Sequence, residues 1–313
     1  MILVVCLNPA LDITHEVAVV DWAGINRPAA VHDRPGGKGL NVARTLHALG
    51  ADVLVTGMVG GITGTGVAAA LSTCGVRTAF TPVDGPTRRT FTVVDGSAGD
   101  ERGDVASFYE PGPVVGAAEF AGFLDDYREA LAGADAVVLS GSLPLGLPDS
   151  SYATLTEVAS GLPVILDAHG EALRLGVTAG PAIVKPNLAE LTALSPRQPT
   201  MAAAARELLD SGAQAVVVTL GHDGLLAVTG EGCWRARSPA AVAGNATGAG
   251  DAVAAALAHG LVLGRPWDER LRHAVALGAA TAAAPVAGEF RSCDYTGALA
   301  AVTVDQVSAE EVG

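Results

Sequence analysis

Short apolar runs recur along the chain at Ile2–Cys6, Val53–Gly57, Ala136–Leu139, Val164–Asp167, Ala182–Val184, Ala215–Thr219 and Leu225–Val228. They are apolar throughout rather than alternating, as in strands covered on both faces. Helical spacing is predicted between them over Leu40–Leu49, Gly66–Thr73, Ala117–Leu131, Ser151–Ala159 and Met201–Leu209. Repeated strand–helix units of this kind predict a doubly wound α/β fold around a mostly parallel central sheet.

Two stretches break the rhythm. Asp12–Arg34 and Thr87–Glu110 are more polar and carry alternating patterns such as THEVAVV and RTFTVVD. They are expected to form a small β-sheet projecting from the main body. That sheet would cover the carboxyl ends of the central strands, where open α/β sheets bind their ligands.

With 50% hydrophobic and 17% charged residues, the composition excludes a disordered chain or a coiled coil. The 313 residues are enough for one large α/β domain or two smaller ones. Nineteen basic residues against 33 acidic give a net charge of −14, which argues against a nucleic-acid partner held by phosphate attraction. A local basic pocket for an anionic small molecule remains compatible with it. The uncharged stretch Ala274 to Gly288 contains Pro285 and is too short to span about 30 Å of hydrocarbon, so no membrane partner is expected. The N-terminus lacks a basic leader and reads as a first strand. Cys6, Cys74, Cys233 and Cys293 show no CxxC spacing and read as buried, reduced thiols of a cytoplasmic protein.

The strongest local signal is Gly244-Asn-Ala-Thr-Gly-Ala-Gly-Asp251, followed by AVAAALAHGL. Gly248, Ala249 and Gly250 leave the turn without side-chain bulk, so its amides can face an anion at a helix N-terminus. Asp251 then falls in the first helical turn, where the helix dipole is expected to keep it ionised. It is placed to accept a hydroxyl proton while the amides stabilise a transferring phosphoryl group. The plainer reading is a glycine-rich helix entry capped by an aspartate. No lysine follows the glycines, so this is not a Walker A loop.

Arg34-Pro-Gly-Gly-Lys-Gly-Leu-Asn-Val-Ala-Arg44 is a second candidate. Gly36, Gly37 and Gly39 permit close backbone approach, Lys38 adds a charge, and the Asn41 amide can bind a hydroxyl. An ordinary turn with a solvated lysine fits the same residues. In Val184-Lys-Pro-Asn-Leu-Ala-Glu-Leu191, Asn187 and Glu190 share a helical face. They form either a capping box or the holder of a Mg²⁺ water shell. Val216–Leu225 reads as strand, tight turn, strand, with Thr219 and Gly221 available to a nucleotide or simply shaping a hairpin.

Gly64-Thr-Gly-Val-Ala-Ala69 fits a dinucleotide fingerprint in outline, with Asp84 about 20 residues on. Its glycines suit a helix packed closely on the sheet, and Asp84 lies in a Pro/Gly-rich turn, so a nicotinamide cofactor is not expected. The seven histidines show no zinc spacing, and Ser140-Gly-Ser142 reads as a turn.

Taken in order, LNPALDITHEV, INRPAAVHDRPGGKGLNVARTLHALGA, PTRRTF, SGSLPLGLP, LDAHGEAL, VKPNLAEL, VTLGHDG and NATGAGD resemble the ribokinase-like carbohydrate kinases, the PfkB family. They are closest to its phosphosugar branch of 1-phosphofructokinase, tagatose-6-phosphate kinase and minor 6-phosphofructokinase. The resemblance spans essentially the whole chain. It implies one ribokinase-like domain over residues 1–313, a three-layer sandwich whose small β-sheet lid comprises about 12–34 and 87–110. It also implies ATP-dependent phosphorylation of a sugar phosphate, with fructose 1-phosphate to fructose 1,6-bisphosphate as first expectation. Tagatose 6-phosphate, fructose 6-phosphate, an unphosphorylated sugar or a nucleoside, and a non-catalytic sensor are the alternatives.

The same resemblance assigns roles to matching positions. Asp251 is similar to the general base, and Gly248, Ala249 and Gly250 to the anion hole. Asp12, Gly37, Lys38 and Asn41 are similar to sugar ligands. Lys38, Arg88 and Arg27 look like cations for a phosphate already on the sugar. Lys185, Asn187, Thr219, Gly221 and Gly224 resemble the ATP region, with Asn187 and Glu190 holding Mg²⁺ through water. A monovalent cation is a further ligand left open, and a homodimer through the lid is implied. The chain departs from the pattern at Ala246, at Arg89 and in the stretch Ser107–Pro113. Arg89 is expected to add a cation near the lid.

Overall fold

The structure is a computed structural model that describes residues 1–96, 104–238, 247–284 and 288–308. Among these, ten strands form one sheet and four a second. The chain runs β1 (Ile2–Cys6), β2 (Ala10–Val17), β3 (Ala30–Gly36), α1 (Lys38–Ala48), β4 (Val53–Val59), α2 (Gly61–Thr73), β5 (Arg77–Pro82), β6 (Arg88–Asp95) and β7 (Asp104–Tyr109). It continues through α3 (Ala117–Leu131), β8 (Ala136–Ser140), α4 (Ser151–Val158), β9 (Val164–Asp167), α5 (Gly170–Val177), β10 (Ile183–Val184), α6 (Leu188–Leu194) and α7 (Met201–Asp210). Last come β11 (Ala215–Thr219), β12 (Leu225–Thr229), β13 (Gly232–Arg237), α8 (Ala249–Val262), α9 (Trp267–Ala283), α10 (Ser292–Ala301) and β14 (Thr303–Val307).

The large sheet has the order β14-β13-β12-β11-β10-β9-β8-β1-β4-β5. It is parallel from β5 through β11 and antiparallel across the last three pairings. β1 is buried along its whole length, and its side chains alternate between two cores. Ile2, Val4 and Cys6 pack with α1, α2, α8 and α9, whereas Leu3 and Val5 pack with α3 to α7. Each fully buried aliphatic side chain of this kind stabilises the fold by about 1.5–3 kcal/mol, which is why the pattern is apolar throughout. The chain steps from β1 outward to β4 and β5, then returns to the other side of β1 with β8. That reversal opens a crevice at the carboxyl ends of β1 and β8, the usual ligand position in such sheets.

The helix α8 is alanine-rich and buried nearly all round. Small side chains let it lie close to α9 and to the sheet, and its N-terminus is delivered to the crevice. α2 begins at Gly61, earlier than the apolar spacing predicts. A side chain at Gly64 would press on Val59 and on Thr87 Oγ1, so close helix–sheet packing accounts for that glycine of the dinucleotide-like stretch, whereas Gly66 has open space around it.

The smaller sheet has the order β3-β2-β6-β7, with β2 parallel to β6 and the other pairs antiparallel. Its register sorts residues cleanly onto two faces. Arg34, Asp12, Thr90 and Arg88 share one face, on which Thr90 is buried. Ile13, Val31, Phe91, Val93 and Phe108 share the other, and Val31 and Phe108 are more than half exposed.

Cys6 and Cys233 are buried free thiols, but Cys74 and Cys293 are exposed, which corrects the expectation for two of the four. Cys74 caps the end of α2 and Cys293 lies in the first turn of α10, both at surface helix ends that scattered spacing does not reveal. Among the described residues no helix is long and apolar enough to cross a membrane.

Candidate active site

The carboxyl ends of β1, β8, β9, β10 and β11 lead directly into Asn8, Gly141, Asp167, Lys185 and Leu220. The N-termini of α1, α6 and α8 meet them from the helical layers. Most of the polar residues singled out in the sequence therefore converge on one edge of the sheet.

Gly248 caps α8 with φ of 85°, a left-handed conformation that favours glycine. The amides of the first helical turn lack intrahelical acceptors, a geometry open to an anion. Residues 244–246 of this motif lie outside the described residues. Asp251 occupies the third helical position and is buried. Asn41 Nδ2 donates to Asp251 Oδ2 at 2.9 Å. Burial first, then the negative charge of Asp167, pushes the Asp251 carboxyl up to about 7. The Asn41 hydrogen bond and the charges of Lys185 and Lys38 pull it down without cancelling the rise. Loss of hydration and the Asp167 charge thus oppose the helix dipole, which favours the ionised form. A carboxyl that titrates near neutrality is matched to general-base work at that pH.

Beside it lies a cluster of opposite charges. Asp167 is fully buried, and its Oδ1 lies 3.2 Å from Lys185 Nζ and 3.4 Å from Lys38 Nζ. Its Oδ2 is buried with no hydrogen-bond partner among the described residues. Lys38 Nζ is also 4.0 Å from Glu190 Oε1. Burial disfavours the Lys38 ammonium, but Asp167, Glu190 and Asp251 more than compensate and raise its pKa. A Cβ placed on Gly250 would sit 3.6 Å from Lys185 Nζ, so that ammonium stands at the mouth of α8. Two ammoniums and an amide cradle make this edge suited to a polyanion.

On the next element, Glu190 N donates to Asn187 Oδ1 and Asn187 N donates to Glu190 Oε2, both at 2.8 Å. The capping-box reading of this pair is therefore present, while Glu190 Oε1 still faces Lys38. Thr219 N donates to Pro186 O at 3.0 Å, which sets Thr219 beside Asn187. Gly221 and Gly224 have φ of 61° and 84° in the hairpin turn, and the Ala236 carbonyl leaves no room for a Cβ on Gly224. A cavity of about 420 Å³ opens beside α6, lined by Asn187, Glu190, Glu171 and Arg174 among others.

The opposite side of the crevice is built from the smaller sheet. Asp12 Oδ1 accepts from Thr90 Oγ1 at 2.5 Å, and its carboxylate folds over the bare Cα of Gly36. Gly37, with φ of 96°, caps the start of α1, and a Cβ on it would sit 3.5 Å from Cys6 Sγ. Arg88 Nε donates to the Asn8 carbonyl at 3.3 Å, and Asn8 Nδ2 donates to Ser142 Oγ at 3.1 Å. Arg27 is exposed in the connection between β2 and β3. Arg89 adds a cation to the smaller sheet as expected, but on the face away from Arg88, paired with Glu110 at 2.7 Å and stacked over Phe91.

The family model for pfkB family carbohydrate kinases matches residues 5–290. The chain belongs to the pfkB family of carbohydrate kinases. It is an ATP-dependent sugar kinase, a phosphotransferase. Phosphofructokinase-2 from Escherichia coli superposes with a TM-score of 0.89 at 31% identity, over 96% of this chain and 98% of that one. A possible 1-phosphofructokinase from Thermotoga maritima gives 0.87 at 27% identity, over 98% and 100%.

Three residues of this carbohydrate kinase's crevice escaped the sequence reading. Asp167 was visible as a carboxylate closing the buried run VILD, a costly place for a charge unless it is paired. Asn8 and Ser142 had weaker signals, because each follows a strand by only two residues and reads as ordinary turn chemistry.

Proposed function

We propose that this kinase transfers the γ-phosphoryl group of ATP to a hydroxyl of a sugar phosphate, with fructose 1-phosphate as acceptor and fructose 1,6-bisphosphate as product. The observation that carries this reading is Asp251, buried at the amide cradle of α8, hydrogen-bonded to Asn41 and flanked by Lys185 and Lys38. Asp251 takes the proton of the acceptor hydroxyl as its oxygen bonds to the γ-phosphorus and the bond to the ADP oxygen breaks. The Gly248–Gly250 amides and Lys185 stabilise the charge on the phosphoryl oxygens. Asp12 and Asn41 orient the sugar, and Thr219, Gly221 and Gly224 shape the nucleotide side. The smaller sheet acts as a lid that excludes water and limits ATP hydrolysis.

Among the described residues no group of three or more side chains forms a metal cage. Asn187 and Glu190 line the cavity beside α6 and are hard oxygen donors that fit a Mg²⁺ retaining most of its waters, held through those waters. Mg²⁺ would neutralise phosphate charge there. The potassium complex of the Escherichia coli enzyme supports a monovalent cation as a further ligand.

A second reading has its own support: that same enzyme has been solved with fructose 6-phosphate. A panel of fructose 1-phosphate, fructose 6-phosphate, tagatose 6-phosphate, unphosphorylated sugars and nucleosides, with ADP formation as readout, separates the acceptors. Arg88→Gln is expected to raise KM for the sugar phosphate by roughly 10- to 100-fold, the loss of one charge-assisted hydrogen bond. KM for the unphosphorylated sugar should barely move. Equal effects on both would point to a plain sugar kinase, and binding without ADP formation to a sensor.

The apolar face of the lid fits a homodimer. Ile13, Phe91, Val93 and Phe108 form a contiguous apolar surface that a second copy would bury. Phe91→Glu together with Phe108→Glu should halve the mass measured by analytical ultracentrifugation. An unchanged mass would remove the lid from the interface.

A further inference from the structure

The charges around Asp12 are not accounted for by the residues assigned so far. Of the three cations matched to an acceptor phosphate, Lys38 is engaged by Asp167 and Glu190, and Arg27 is exposed on a loop. Only Arg88 remains on the face of the smaller sheet that looks onto the crevice. A second guanidinium shares that face. Arg34 sits directly opposite Asp12 in the β2–β3 register, on the side of Asp12 away from β6 and Arg88.

Arg34 is partly buried, and among the described residues its side chain makes no hydrogen bond or ion pair. Its surroundings do not favour a solitary cation. Burial and the like charge of Arg44 both lower its pKa, and the charges of Asp12 and Glu289 do not restore it. The nearby carboxylates attract Arg34 without forming an ion pair with it among the described residues. Glu289 pairs with Arg44 Nη2 at 2.8 Å, and Asp12 accepts from Thr90. Arg44 itself retains a buried Nη1 with no hydrogen-bond partner among the described residues. Arg34, opposite the hydroxyl-binding aspartate, thus feels the like charge of Arg44 and has donors left over, an arrangement that a phosphate would relieve. A guanidinium offers the paired donors that phosphate oxygens accept best.

We infer that Arg34 is a specificity-determining residue that binds the anionic group of a phosphorylated acceptor across Asp12 from Arg88. This rests on the reading of the kinase as one that acts on a sugar phosphate. The inference concerns selection of the acceptor, so its effect falls on acceptor affinity rather than on turnover.

The test compares Arg34→Gln, Arg34→Lys, Arg88→Gln and Glu289→Gln, each checked for folding by thermal melting. Acceptor kinetics use the best sugar phosphate of the panel and its unphosphorylated counterpart, with inorganic phosphate as a competitive probe. Arg34→Gln should raise KM for the sugar phosphate and the inhibition constant of inorganic phosphate by about 10-fold or more, with kcat within a few-fold. KM for the unphosphorylated sugar should be unchanged, and Arg34→Lys should recover part of the loss. Glu289→Gln should leave KM for the sugar phosphate unchanged or lower it, because it frees positive charge. Equal losses for both acceptors would instead make Arg34 a support for Asp12. A Glu289→Gln variant that reproduces the loss would make it a structural tie to Glu289. Either result overturns the inference, as does sensitivity at Arg88 with none at Arg34. A wild-type enzyme that does not prefer the phosphorylated acceptor overturns the underlying reading instead.

Discussion

Asp251→Asn should lower kcat by at least ~10²-fold, the low end for loss of a general base, while the protein becomes more heat-stable at neutral and alkaline pH. The two effects share one cause. Asp251 is buried, and its carboxyl is pushed from 3.8 up to about 7 by lost hydration and by Asp167. Between those values the native state holds a proton that the unfolded chain has released. The group's contribution is therefore most favourable below pH 3.8 and is lost as pH rises through 7. An asparagine accepts the Asn41 hydrogen bond without carrying a charge. The Tm advantage of the variant should thus grow between about pH 4 and pH 7 and level off above, measured by calorimetry. In the wild type, kcat/KM should fall as pH drops below about 7, because the base becomes protonated. Near-normal turnover in the variant would reject Asp251 as the base, whatever the melting curves show.

The central strands were legible because each is buried on both faces and so carries an unbroken apolar run. The edge elements were not. β13 (GCWRAR) and β14 (TVDQV) carry polar side chains on exposed positions and lack a clean apolar signature. α5 is only eight residues long and carried no cap signal, whereas the seven-residue α6 showed itself through the Asn187–Glu190 capping pair. α8 announced itself through its glycines and small residues, and Asn41 through its place in the first turn after Gly-Gly-Lys-Gly.

The protonation of the site was less legible than its membership. Helix position alone argues for an ionised Asp251, and that argument lacks the burial and the Asp167 charge that only the folded chain supplies. Lys38 shows the same limit. Its charge suggests an acceptor phosphate, yet β9 brings Asp167 within 3.4 Å of it, across 129 residues of sequence. In the sequence Arg34 is the first residue of a turn motif, and only the pairing of β2 with β3 sets it opposite Asp12.

Asp167 is where folding and chemistry are most tightly joined, and removing it should damage both. Its carboxylate is fully buried, whereas the Lys185 side chain is 4% exposed and that of Lys38 is 38% exposed. Asp167→Ala leaves Lys38 free to turn toward water, but Lys185 has no such route. Stranding one partner of a buried ion pair costs about 3–5 kcal/mol, so denaturant unfolding should show a loss of that order. Asp167→Asn keeps the shape and isolates the electrostatics. Removing a negative charge beside Asp251 favours its ionised form, so the acid limb of kcat/KM should move to lower pH. The direction discriminates between two roles. A residue that only braces Lys185 would lower stability and leave the limb where it was. One that also sets the proton affinity of Asp251 shifts the limb even in variants that remain folded. A limb that stays near pH 7 in folded Asp167→Asn would restrict Asp167 to holding the lysines and leave burial alone to explain why Asp251 titrates so high.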